Sequence, residues 1–188
     1  VAAPEDVIIV PLEVVALRSE AWPTTSVSAT FEAGLPRLLD DLNAMFEAGH
    51  VRFALAGVTQ TVLIAHDGGP MKPTVAQVIE ALPPVAAPRN GLRVYFAGGL
   101  DVNGVAVGTR AALVAERAQL RRVHGGSEDP PARVTGHMVG GLLGLEAVGQ
   151  EANLMALGTS GADLDAGQIE TVRARARRLL VEQRLTAP

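Results

Sequence analysis

VTGHMVGGLLGLEAVGQEANLM, residues 134–155, governs how the rest of the chain is read. Its first half has the length and apolar content of a helix, expected over about Ala132 to Leu145, yet Gly136, Gly140, Gly141 and Gly144 fall inside it. Each glycine in a helix interior costs about 1 kcal/mol relative to alanine. Such a helix has to be held by its surroundings. The glycines Gly136, Gly140 and Gly144 stand four apart, which on a helix makes a flat face that another backbone or a partner's side chain could approach closely. His137 is the single imidazole of the stretch, and its plainest role is that of a partly buried histidine bonded to backbone. Met155 reads equally well as core.

Working outward, the Gly/Pro/Asp-rich run Gly125 to Pro131 punctuates the chain before this helix, and an irregular loop follows it. A last helix is expected from Asp165 to about Arg184. Asp165 with Gln168 three residues on forms an N-terminal capping pair, and Ile169, Val172, Ala176, Leu179 and Leu180 form its buried stripe. Toward the N-terminus, VIIVPLEVVAL (7–17) reads as a strand or bent strand pair, near a sheet edge at Pro11. Leu35, Leu38, Leu39, Leu42, Met45 and Phe46 mark an amphipathic helix over 35–48, stopped by Gly49. VRFALAGV (51–58) and TVLIAH (61–66) suggest two strands around a turn near Gly57. Residues 67–91 are an irregular, proline-rich excursion with a short helix, VAQVIEAL, inside it. LRVYFAGGL (92–100) and VNGVAVG (102–108) look like a hairpin pair, and AALVAERA (111–118) like a further strand. The order is that of an α+β domain, one mixed sheet covered by helices, with no repeat and no linker.

The whole set resembles the metzincin zinc peptidases, in texture the small bacterial pappalysin type. In that family a helix carries HExxHxxGxxH or HExxHxxGxxD, and a methionine-containing turn follows. His137 falls on the first histidine, Gly144 on the glycine that ends the helix, and Asn153, Leu154 and Met155 on the Met-turn. LDDLNAMFEAGHVRFALAGV (39–58) resembles the backing helix and its strand, LRVYFAGGL (92–100) a later strand, and LDAGQIETVRARARRLL (164–180) the C-terminal helix. The likeness runs from about residue 7 to 183 in the right order. It implies a metzincin-like (zincin) fold: a mixed twisted sheet with a backing helix, an active-site-equivalent helix and a C-terminal helix. It also implies a single domain over 1–188, sheet-rich to about 145, with the Met-turn and last helix over 146–188.

The chemistry departs from that pattern. The family sets two histidines at i and i+4 on one helix face for zinc, with a glutamate beside the first as general base. Here the general-base position is Met138, the second ligand position is Gly141, and the third falls at Ala147. Only His137 is retained. One imidazole does not hold zinc usefully, since such sites rest on three or four protein ligands. The expectation is therefore a domain with no catalytic residue, no metal site and no cofactor, not an enzyme. Gly140 and Gly144 then read as inherited from the motif, with Gly141 filling a vacated ligand position. The alternative is a zinc peptidase with a rearranged site, drawing His124 with His137 and a carboxylate among Glu128, Asp129, Glu146 and Glu151, or the amide of Gln150. His50 and His66 read as caps or surface groups.

Composition narrows the rest. The 188 residues are 48% hydrophobic and 19% charged, enough apolar matter for a sizeable core, so disorder is excluded for most of the chain. Sixteen basic against twenty acidic residues give a net charge of −4, which disfavours a general nucleic-acid binder. There is no cysteine, hence no disulfide, thiolate nucleophile or Cys-type zinc site. Fifteen of the sixteen basic residues are arginine, Lys72 being the lone lysine, as in a GC-rich bacterial genome. No stretch approaches 18 continuous apolar residues, so no membrane span is expected. The compartment stays open between cytoplasmic and secreted after leader removal. Arg173, Arg175, Arg177, Arg178 and Arg184 on the last helix read as a solvated face. The functional expectation is a protein-binding or structural module, with a protein partner or a second copy of the chain, the latter through the glycine-lined helix.

Overall fold

The computed structural model describes residues 6–62, 73–82, 88 and 91–186, the side chains of 183–186 excepted. It is a mixed α+β arrangement of five strands and four helices. In chain order these are β1 (Ile8–Arg18), α1 (Phe31–Phe46), β2 (Val51–Val62), α2 (Val75–Ala81), β3 (Leu92–Ala97), β4 (Gly104–Ala106), β5 (Ala111–Ala115), α3 (Pro130–Leu142) and α4 (Ala166–Thr186). The sheet order is β2-β1-β3-β5-β4. β4 runs antiparallel to β5, and the other neighbouring pairs are parallel.

Alternation along β1 explains the two layers. Val10, Leu12, Val14 and Ala16 face the larger core, built with Phe31, Leu35, Leu38, Leu42 and Phe46 of α1, with α3, and with Val172, Ala176 and Leu179 of α4. Val15 and Leu17 face the opposite side, against Trp22, Val78 of α2, Tyr95 and Leu113. Each large side chain buried in this way stabilises the fold by roughly 1.5–3 kcal/mol. Asn43 ties α1 to the outer strand: its Oδ1 accepts from Phe53 N at 2.7 Å and its Nδ2 donates to Phe53 O at 3.2 Å. One turn later Phe46 meets the Phe53 ring edge-on, centroids 5.1 Å apart.

Several boundaries differ from the sequence expectation. Helix α1 begins at Phe31, before Gly34 and Pro36, because burial of Phe31 and Leu35 outweighs the low helix propensity of those two residues. Strand β1 lies inside the sheet rather than near an edge; Pro11 is accommodated because the β3 ladder starts only at Leu12. Gly57 is not at a turn. Leu12 pairs with Leu55 and Glu13 with Gly57, so Ala56 is the extra residue of a β-bulge in one long strand. The expected hairpin of 92–100 with 102–108 does not form, since β5 inserts between β3 and β4 and the hairpin is β4–β5, turning at Gly108 with φ +88°. Helix α2 forms with a Thr74/Gln77 capping box. Most of the proline-rich excursion, His66 and Lys72 lie outside the described residues. Among the described residues, no helix is long and apolar enough to cross a membrane.

Candidate functional site

Helix α3 starts where its sequence allows: Asp129 Oδ1 accepts from Ala132 N at 2.9 Å, and Pro130 sits at the first helical position, where a missing N–H costs nothing. It ends in a Schellman motif, with Gly144 (φ +89°) donating to Gly141 O at 2.9 Å and Leu145 to Gly140 O at 3.0 Å. The glycines divide by surroundings. A Cβ on Gly136 would lie 2.8 Å from Met45 Sδ and 3.2 Å from Leu154 Cδ1, and one on Gly140 would lie 3.0 Å from Met155 Sδ. Both therefore face the protein's own interior, where they admit α1 and the turn at 153–156 rather than a second copy. Gly141 has nothing within 4 Å of that position.

That turn is held on two sides. Asn153 Oδ1 accepts from Met155 N at 2.8 Å, its Nδ2 donates to Gln168 Oε1 at 2.7 Å, and Leu154 N donates to Asp163 O at 2.8 Å. Gln168 is itself part of the reciprocal cap on α4, Gln168 N to Asp165 Oδ1 at 2.8 Å and Asp165 N to Gln168 Oε1 at 3.0 Å. From the other side comes Arg133, 2% exposed, whose Nε donates to Gly161 O at 3.0 Å and Nη2 to Ala156 O at 2.5 Å. Among the described residues no carboxylate pairs with this buried cation, and desolvation pushes its pKa down to about 10, so it remains charged at neutral pH.

One helical turn further, His137 Nδ1 lies 3.1 Å from Leu154 O. A carbonyl only accepts, so Nδ1 carries the proton and Nε2 keeps a lone pair. Burial holds the His137 pKa below the usual histidine range; the Leu154 carbonyl pulls it back up and the charge of Arg133 pushes it down again. The neutral imidazole is thus the form favoured by the fold.

His137, Met138, Gly141, Ala147 and Met155 all border one cleft of about 690 Å³. One of its walls is Ala106 with the β4–β5 turn, and the other is α4 with Arg175, Arg178 and Leu179. The positions singled out in the sequence therefore converge, apart from Asn153 and Leu154, which support the turn from behind. The residues of the rearranged site do not converge. His124 is exposed, Glu128 pairs with Arg122 at 3.3 Å, Asp129 caps α3, and Glu151 pairs with Arg121 at 2.6 Å. Glu146 and Gln150 are exposed, and His50 occupies a left-handed backbone position (φ 48°) where α1 passes into β2. Among the described residues, no group of three or more His, Cys, Asp or Glu side chains is placed to hold a metal ion.

The zinc that a metzincin fold implies finds one imidazole here, with a thioether, a bare backbone and a methyl group at the base and remaining ligand positions. These residues do not fit a zinc site of three protein ligands. Arg133 was not anticipated from sequence, and of the α4 arginines expected to form one solvated face, Arg173 is buried with its Nη1 donating to Gly49 O at 2.6 Å while Arg175 and Arg178 line the cleft. The available signal for Arg133 was its place four residues before His137, on the same face of the helix.

No family model and no curated protein matches the chain. Solved structures do. Mature mirolysin of Tannerella forsythia, in complex with a cleaved peptide, superposes with a TM-score of 0.64 at 15% identity, covering 98% of this chain and 100% of that one. Archaemetzincin from Methanopyrus kandleri gives 0.50 at 15% identity, covering 94% of this chain and 96% of that one. Metalloproteinase-II from Bacteroides fragilis gives 0.50 at 16% identity, covering 92% and 55%. The fold is metzincin-like. These neighbours correct two expectations drawn from sequence, that the chain is not an enzyme and that it takes no cofactor. The names metalloproteinase-II and archaemetzincin are those of metal-dependent peptidases, which withdraws both expectations, and at 15–16% identity the likeness shows the fold. Both expectations were inferred from the loss of ligands at one motif spacing, and a motif reports only its own positions.

Proposed function

We propose that this metzincin-fold chain receives an extended polypeptide in the cleft beneath β4, with residues 1–188 acting as one peptide-binding domain. The carrying observation is the outer edge of β4, the last strand of the sheet, which is unpaired among the described residues. Asn103 O accepts from Ala115 N and Val107 N donates to Ala111 O, so the odd-numbered residues bond toward β5. By antiparallel alternation the backbone groups of Gly104 and Ala106 point outward, over the cleft. An edge of this kind adds a strand, its main-chain bonds giving affinity and the cleft side chains giving selectivity. Both parts of the chain are needed, because the β4 wall comes from before residue 145 and the α4 wall from after it.

Ala106→Pro tests the reading. It deletes one outward amide and leaves the bonds to β5 in place. Titration calorimetry with acetylated and amidated decapeptides is expected to show binding by the unaltered protein and at least a tenfold loss in the variant. Equal binding by both, or no binding by either, overturns it.

A second reading, a zinc-dependent peptidase with a non-standard metal set, is favoured by the metallopeptidases that share the fold. Since His124 and the carboxylates flanking α3 stand apart from His137, it needs ligands beyond that set. It predicts about one zinc per chain by elemental analysis, peptide cleavage by mass spectrometry, and loss of both in His137→Ala. Protein without zinc that leaves the peptides intact would sink it.

A further inference from the structure

The cleft has a sign. Among its lining residues are three arginines, Arg110, Arg175 and Arg178, and one carboxylate, Glu182. Arg110 Nη2 already meets Glu182 Oε2 at 2.9 Å, which neutralises that pair at the mouth. The positive charge left over belongs to Arg175 and Arg178, three residues apart on α4 and therefore on one helix face. Neither forms an ion pair among the described residues. Arg175 lies along the helix stop of α3, its Nε 3.2 Å from where a Cβ on Gly144 would stand, and it lines the same cleft as Gly141. The chain as a whole is net negative, so this is a local charge set against the global one.

Resting on the peptide-cleft reading above, we infer that the segment bound there carries acidic side chains, whose carboxylates are taken by Arg175 and Arg178 while its backbone pairs with β4. Charge complementarity selects this occupant. A guanidinium presents a planar fork that matches a carboxylate with two parallel hydrogen bonds, whereas a lysine in the same place meets like charge without a counter-ion. Between the β4 edge and the arginines the walls are apolar, with Met138, Leu142, Leu145 and Leu179, so the fitting ligand alternates apolar and acidic residues as an extended strand does. Arg177 provides an internal control. It belongs to the same helix but borders a different surface, with Ala48, His50 and Glu170.

The test uses three acetylated, amidated decapeptides, alternating Val-Glu, Val-Gln and Val-Lys, measured by titration calorimetry at low and at physiological salt. Blocked termini leave side-chain carboxylates as the only anionic groups. The Val-Glu peptide is expected to bind at least tenfold more tightly than Val-Gln, and Val-Lys more weakly still. The preference should shrink with salt, because exposed charges are screened over about 8 Å at 0.15 M. It should fall below twofold in Arg178→Glu, weaken in the milder Arg178→Gln, and persist in Arg177→Glu. Equal affinity for the three peptides overturns the acidic preference and leaves the cleft reading standing. A preference that survives Arg175→Glu combined with Arg178→Glu overturns it as well, since the carboxylates would then lie elsewhere. Absence of binding by all three peptides removes the cleft reading and this inference together.

Discussion

Arg133 and His137 stand one turn apart on α3 and reach for the same turn, but they belong to different regions of the molecule. Arg133 lies in the scaffold behind the cleft, where its bonds go to the carbonyls of Gly161 and Ala156 and solvent is excluded. His137 lies at the boundary, with Nδ1 bonded to Leu154 O and its ring also bordering the cleft. Glycines follow the same division: Gly161 would press a Cβ within 2.2 Å of Glu151 O, whereas Gly141 has open space. On the scaffold side each polar group is matched to backbone that has nowhere to move. On the cleft side the chain leaves room and unpaired charge. Substitutions should therefore be costly behind the turn and cheap or functional in front of it.

The largest effect is expected for Arg133→Met, which strands the Gly161 and Ala156 carbonyls in a dry interior. At about 2 kcal/mol for each unsatisfied acceptor, the loss should approach ~4 kcal/mol in urea unfolding; a loss below ~1 kcal/mol would break the contrast. Next comes Gly161→Ala. Here the intruding Cβ meets main-chain atoms rather than a flexible side chain, so a destabilisation of roughly 2–3 kcal/mol is anticipated. In front of the turn the sign reverses: Gly141→Ala should raise stability by about 0.5–1 kcal/mol, from helix propensity in unoccupied space. A thermal melt showing that variant less stable would mean that the cleft side is as tightly filled as the scaffold.

The smallest effect concerns pH and sharpens the place of His137. Because its folded pKa lies below the unfolded value near 6.5, the unfolded chain takes up a proton first as the solution is acidified. Its contribution to stability is complete above pH 6.5 and declines as pH falls from there toward the folded pKa. Unfolding curves at pH 7.5 and 5.0 should show this loss in the unaltered protein and a smaller one in His137→Gln. An unchanged slope would mean that the imidazole is not buried as described.

Local patterns foretold what local physics controls. The α4 stripe and the Asp165/Gln168 cap depend on residues three or four apart; the cap appears as expected, and of the stripe Val172, Ala176 and Leu179 are buried while Ile169 and Leu180 are half-buried. Asn153, Leu154 and Met155 form a turn in which Asn153 Oδ1 accepts from Met155 N, with Met155 bordering the cleft. Strand neighbours were misjudged where partners are distant in sequence. Alternation marks which face of a strand is buried and not which strand lies beside it, so the β4–β5 hairpin was mistaken for a pairing of β3 with β4 and the bulge at Ala56 for a turn.

Residue identity alone was enough to show that Met138, Gly141 and Ala147 offer no nitrogen or oxygen donor in their side chains, because donor chemistry is a property of each side chain wherever it lies. Helical spacing was likewise enough to put Arg175 and Arg178 on one face. That this face closes the same cleft as His137, and that Arg133 on α3 is buried while Arg178 on α4 is exposed, came from packing. An arginine's burial is set by what folds over it from remote parts of the chain. For Arg133 that is the 153–161 segment, which supplies the carbonyls that make burying the charge tolerable.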